Sequence, residues 1–188
     1  MLAVIETHPI QYHAPVYRVL QQKFGVPTTV IYGSDFSVVG YHDREFGSAF
    51  AWDTDLLSGY ESIFLSRVSQ AGGDSLEKIS TRGLAKALKR TQPRAILIVG
   101  YSPFFHQIAF YQAWRAHCPI LFRAETTDHA LKRSLFKMWV RDRVLRWLYQ
   151  RCTRLLYIGR RSLEHFDRIG CPDEKLVFSP YFVDTTSF

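Results

Sequence analysis

Three short polar stretches hold the residues whose types and spacing suit chemistry, and each follows an apolar run. In His8-Pro-Ile-Gln-Tyr-His13, the side chains of His8, Gln11, Tyr12 and His13 offer donors and acceptors suited to sugar hydroxyls or phosphate oxygens. The same stretch can instead be a loop stiffened by proline, with His8 bonded to backbone. Gly100-Tyr-Ser-Pro103 sets Tyr101 and Ser102 just ahead of a helix start, where an anion or a hydroxyl can sit; a plain strand-to-helix turn is the other reading. Arg123-Ala-Glu-Thr126 puts a guanidinium, a carboxylate and a hydroxyl close together. Glu125 can be held in an ion pair with Arg123, as Asp128 can. Arg44 is a candidate clamp for phosphate or carboxylate, or one side of a surface pair with Asp43 or Glu45.

Such loops act together only if a scaffold carries them to one rim. Leu2 to Ile5, Val26 to Tyr32, Ala95 to Val99, Pro119 to Phe122, Leu155 to Ile158 and Lys175 to Ser179 read as short buried strands. Helical spacing runs between most of them: Pro15 opens a helix through Tyr17 and Leu20, and Ser75 or Ser80 can cap one through Leu84 and Leu88. Pro103 starts a helix through Phe104, Ile108, Tyr111 and Trp114, and Leu163, Phe166 and Ile169 form another stripe. Gly159 is read as a tight turn and Gly170 as a helix C-cap. The residues 33–60 have no clear period and read as a long binding loop or lid. Strand and helix in alternation imply an α/β fold, a Rossmann-like doubly wound parallel sheet flanked by helices. Its polar loops would then share the carboxyl edge, where open α/β sheets bind ligands.

The 188 residues suit one domain with a full core, and 47% hydrophobic with 22% charged residues is ordinary for a globular chain. A net charge of +7 favours anionic partners or simply a basic solvated surface. Cys118, Cys152 and Cys171 are widely spaced and suggest neither a disulfide framework nor a metal site, which favours a reducing, cytoplasmic setting. The N-terminus lacks the pattern of a signal peptide, and no uncharged run nears about 18 residues. GxGxxG, GxxxxGK[ST] and HExxH are all absent. No nucleic-acid recognition motif accompanies the charge, so no nucleic-acid partner is expected.

The C-terminal run resembles the end of the N-terminal domain of family 4 (group 1) glycosyltransferases of the GT-B fold. Ile169-Gly170, Pro172 to Lys175, Pro180, Val183-Asp184 and Phe188 carry that resemblance. Gly159 stands where Ser is frequent, and Tyr181-Phe182 where Asn-Gly is usual. His8-Pro-Ile-Gln-Tyr12 and Arg123-Ala-Glu-Thr126 resemble one branch of the family, as do Trp52-Asp53 and Gly59-Tyr60, and the resemblance implies a strand at Ser62 to Leu65. Many members have a glycine-rich loop at the first of these places, and this chain has none. The resemblance implies that residues 1–188 are the N-terminal, acceptor-side half of a GT-B enzyme. A C-terminal nucleotide-sugar domain with a Glu-x7-Glu motif would follow Phe188. It implies a retaining, hexosyltransferase-like reaction from a nucleotide-sugar donor to a glycan or lipid-linked acceptor, with no further cofactor or metal. Glu125 would be catalytic, bonding the acceptor hydroxyl or stabilising a cationic, sugar-like transition state. His8, Gln11, Tyr12, Arg44, Tyr101, Ser102, Arg123 and Thr126 would bind the acceptor, and Gly159 and Arg160 would face the donor phosphate. The isolated domain would be inactive.

Leu131 to Arg154 is dense in both cations and bulky apolar residues. It reads as a peripheral contact with an anionic membrane at its inner face, or as a core helix with solvated cations. The rival to an enzyme is therefore a non-catalytic Rossmann-like module docked on a membrane or protein. A sugar-nucleotide epimerase or dehydrogenase is disfavoured by the missing glycine fingerprint.

Overall fold

A computed structural model describes residues 1–43, 48–50, 55–68, 79–124 and 135–182. Strand β1 (Leu2–Glu6) leads through a polar loop to helix α1 (Ala14–Gln22) and returns to β2 (Thr28–Tyr32). A short helix α2 (Phe36–Val39), the antiparallel pair β3 (Tyr41–Asp43) and β4 (Ser48–Phe50), and strand β5 (Glu61–Phe64) follow. The remainder alternates α3 (Leu84–Thr91), β6 (Ala95–Val99), α4 (Phe104–Arg115), β7 (Ile120–Arg123), α5 (Leu135–Gln150), β8 (Arg154–Tyr157), α6 (Arg160–Ile169) and β9 (Leu176–Phe178).

Seven strands form one parallel sheet in the order β5-β2-β1-β6-β7-β8-β9. Val4 of β1 lies opposite Val30 on one side and Leu97 on the other. Strand order reverses between β1 and β6, which makes their carboxyl ends the switch point of the sheet. Alternation of side chains divides the core. Ala3, Ile5, Ile31, Ile96, Ile98, Phe122 and Leu155 face α3 to α6. Val4, Val30, Tyr32 and Leu97 pack with Ala14 and Tyr17 of α1 on the other face. Glu6 shares that second face by its even register with Val4, and this puts a carboxylate beneath α1.

The C-terminal unit follows its sequence closely. Phe166 and Ile169 of α6 are buried, Gly170 takes a left-handed C-cap (φ +83°), and Pro172 starts the turn at Asp173–Lys175. Three local expectations need correction. Gly159 is extended (φ −169°) rather than tightly turned, and Ser162 caps α6 by accepting from the N–H groups of Ile158 and Gly159. Among the described residues no side chain caps α3: Gly83, at φ +90°, precedes it, Ser80 accepts from Arg82 in the turn before, and Ser75 lies outside the described residues. Within residues 33–60 the chain forms α2 and the β3–β4 pair instead of one structureless loop.

Candidate functional site

The buried end of β1 organises the rim. Glu6, 1% exposed, accepts through Oε1 from Nδ1 of His13 at 2.5 Å and from the hydroxyl of Tyr17 at 2.7 Å. The other imidazole nitrogen of His13, Nε2, accepts from Nη1 of Arg123 at 2.9 Å. A guanidinium can only donate, so this bond places the His13 hydrogen on Nδ1, aimed at Glu6. A buried anion and a buried cation are thereby joined through one imidazole, as burial of either charge requires. Nη2 of Arg123 donates to the carbonyls of Ser179 (3.4 Å) and Pro180 (3.2 Å), just past β9. Strands β1, β7 and β9 are thus tied together at their carboxyl ends.

Above this chain of bonds opens a cavity of about 180 Å³ lined by Tyr12, His13, Val99, Gly100, Arg123, Ala124, Ile158 and Tyr181. Tyr181 forms its lip. The ring stacks near His13 (6.3 Å between centroids), meets Tyr12 edge-on (5.0 Å) and lies 5.0 Å from the Arg123 guanidinium carbon. The tyrosine that stands in place of the usual asparagine is therefore a wall of the cavity. A fixed guanidinium beside two tyrosine rings can take an anionic group together with the C–H face of a sugar ring.

Histidines flank the cavity in neutral form. Burial pushes His8 down to about 4; Glu6 opposes the shift, while His13 and His106 add to it. Burial likewise lowers His106, whose Nδ1 lies 2.9 Å from the carbonyl of Ser102. Gly100 has φ +104°, and a Cβ there would sit 3.2 Å from Cε1 of His106. That glycine lets the loop after β6 lie directly on the imidazole. Oε2 of Glu6 and Nε2 of His106 are buried without a hydrogen-bond partner among the described residues. Burial raises the Tyr17 and Tyr32 phenols well above the ordinary range and Tyr60 to about 12, so this layer stays protonated.

Of the loops expected at the carboxyl edge, residues 7–13 after β1 and 100–103 after β6 lie there, and the one after β7 is described only as far as Ala124. The turn 158–160 after β8 shares that edge. Tyr12 and Arg123 line the cavity itself. His8 sits half-buried beside it, with Nδ1 2.9 Å from the Thr7 hydroxyl and its ring 4.5 Å from Phe36. Gln11 is half-buried and Ser102 exposed in the same loops. Tyr101 lines a different hollow, between α4 and α5. Arg160 is exposed and pairs with Glu164 one turn on (2.8 Å). Arg44, Glu125 and Thr126 lie outside the described residues, as do Trp52-Asp53, Val183-Asp184 and Phe188. Sequence reasoning missed Glu6, Tyr17 and His106 and gave Tyr181 no role. An acidic residue closing an apolar strand was the available signal for Glu6. Among the described residues, no three His, Cys, Asp or Glu side chains gather as metal ligands, and no helix is long and apolar enough to cross a membrane.

No family model and no curated protein matches the sequence. Solved structures share the fold. A UDP-N-acetylglucosamine 2-epimerase from Rickettsia bellii superposes with a TM-score of 0.56 at 12% identity, over 96% of this chain and 45% of that one. The lipopolysaccharide outer core galactosyltransferase WaaB, in its apo form, gives 0.55 at 10% identity, over 98% and 47%. The chain is thus a Rossmann-like α/β domain of GT-B type that spans less than half the length of either protein. One of the two is a sugar-nucleotide epimerase and the other a galactosyltransferase, so the shared fold alone does not choose between those activities.

Proposed function

We propose that the chain is the acceptor-side half of a glycosyltransferase that moves a sugar from a nucleotide-sugar to a glycan or lipid-linked acceptor. The observation that carries this reading is the rim cavity, where an anchored guanidinium and two tyrosine rings share one small space at the switch point. Aromatic rings suit the apolar face of a sugar, and a fixed guanidinium suits a phosphate or carboxylate oxygen. Glu125 and Thr126 follow Arg123 closely in the chain. We assign Glu125 to the acceptor hydroxyl or to the positive charge that develops on the sugar. Gly159 and Arg160 open α6, whose N-terminal amides favour a donor phosphate. The other wall of the cleft would come from a nucleotide-sugar-binding C-terminal domain. Without it the isolated domain would transfer no sugar. Retention of configuration rests on the family resemblance alone.

A second reading, inversion of a sugar within its nucleotide, is favoured by the fold likeness to the epimerase. Incubating the full-length gene product with a panel of nucleoside-diphosphate sugars, with and without oligosaccharide or lipid-extract acceptors, distinguishes the two. Transfer predicts acceptor-dependent release of nucleoside diphosphate and an acceptor heavier by one sugar. A changed donor sugar without any acceptor supports epimerisation instead. Inertness towards every donor contradicts both.

A further inference from the structure

Helices α4 and α5 lie on the face of the sheet opposite α1, and a groove of about 450 Å³ runs between them. That volume is in the range of about 300–1,000 Å³ typical of sites for small molecules. Its floor is made by Phe110, Leu145 and Leu148, which belong to the core. Its lips are Trp114 of α4 and Trp147 of α5, 49% and 53% exposed. One end reaches Tyr101, in the loop that follows β6. Further along α5, Phe136 and Trp139 stack on each other while 73% and 60% exposed. The apolar residues that spill onto several faces of α5 in the sequence are therefore divided between core and open surface. Exposed aromatic area of this extent marks a place where something binds.

Charge says what binds. The Arg151 guanidinium carbon lies 3.7 Å from the Trp147 ring centre and 5.9 Å from that of Trp114, so it joins the two lips. Arg143 lies over Trp139 at 5.7 Å and Arg115 over Tyr111 at 5.8 Å. Among the described residues lining the groove, Arg141 and Arg151 are cationic and none is acidic. A second copy docked about a two-fold axis would bring these guanidinium groups against their own kind. Indole rings interleaved with guanidinium groups match the boundary of a bilayer, where rings sit at headgroup depth and cations meet lipid phosphates.

We propose that the α4/α5 groove takes a hydrocarbon chain from an anionic membrane lipid, with Arg143 and Arg151 at the headgroup phosphates and Trp114 and Trp147 at the interface. The inference does not depend on sugar transfer. Its test is binding to vesicles of phosphatidylglycerol with phosphatidylcholine, set beside phosphatidylcholine alone, soluble glycerol phosphate and a single-stranded oligonucleotide. Binding to the anionic vesicles, a part of it surviving about 0.5 M salt, and quenching of tryptophan emission by lipids brominated on their acyl chains are expected. Val144→Asp, at an exposed groove position, should weaken binding about ten-fold or more, because a carboxylate in the groove repels both the chain and the phosphates. Val16→Asp, also exposed to solvent but on α1, should change it little. The proposal is overturned by absence of vesicle binding, by binding that salt abolishes without bromine quenching, or by equal effects of the two substitutions. Val144-sensitive dimerisation or oligonucleotide binding in place of vesicle binding overturns it as well.

Discussion

Arg123 and His13, 110 residues apart in the chain, meet at 2.9 Å between Nη1 and Nε2. This bond links the carboxylate of Glu6 to the segment that leaves β9. Glu6 and Arg123 should therefore be energetically coupled although no bond joins them directly. Arg123→Met leaves Glu6 buried without its countercharge and releases two backbone carbonyls. It should cost about 3–5 kcal/mol in urea unfolding. A double-mutant cycle with Glu6→Gln should return a coupling above about 1 kcal/mol. Additive effects would show that His13 transmits nothing.

Acid should weaken the fold through His8 and His106. His8 is held at about 4 in the folded protein against 6.5 unfolded, and His106 is lowered too. Between these values the unfolded chain takes up more protons. The stability that neutral His8 contributes is present above about pH 6.5 and is lost as pH falls towards 4, and the lowered His106 works in the same direction. For His8 the shift corresponds to about 3–4 kcal/mol. Melting temperatures at neutral pH and at pH near 4.5 should differ more for the wild type than for His8→Gln. Parallel pH profiles would contradict this placement of the ring.

Two loop glycines should respond in opposite ways to alanine. At Gly100 the backbone is left-handed and the new Cβ would press on His106, so Gly100→Ala should destabilise by about 1–3 kcal/mol. At Gly159 the backbone is extended and, chain neighbours aside, no heavy atom of the described residues lies within 4 Å of where the alanine methyl would sit, so Gly159→Ala should be neutral or slightly stabilising. Equal losses in chemical denaturation would mean that the loop after β6 does not rest on the imidazole.

The sheet was readable from sequence because parallel strands are buried on both faces. Ala95 to Val99 is a strand to the residue, and the other apolar runs agree within one or two positions. The shared rim followed from the alternation of strand and helix. What makes that rim chemical was less readable. Burial of Glu6 depends on α1 lying over the even face of β1, which no local pattern specifies. The Arg123 clamp on Ser179 and Pro180 depends on β9 joining the far edge of the sheet. Tyr181 was recognised only as a departure from a family pattern, since a ring's neighbours are set by tertiary packing. On α5, period alone could not divide inward Leu145 and Leu148 from outward Val144 and Trp147, because both sets are apolar.

Glu125 carries the chemistry in the proposed reaction. Glu125→Ala in the full-length gene product should lower turnover well beyond its effect on donor affinity, by about a hundred-fold if it supports charge in the transition state. Steady-state kinetics beside calorimetric donor binding separate the two effects. Unchanged turnover removes Glu125 from the reaction.

The cavity at the switch point is the centre of the account, and Tyr181 tests it most directly. Its ring is partly exposed at the lip, so Tyr181→Ala should leave the fold intact while removing one wall. The decisive measurement is kcat/KM for the acceptor in the full-length gene product. A fall of about ten-fold or more, with the melting temperature within a few degrees of wild type, is the expected result. An unchanged kcat/KM in a folded, active variant would show that the substrate binds elsewhere.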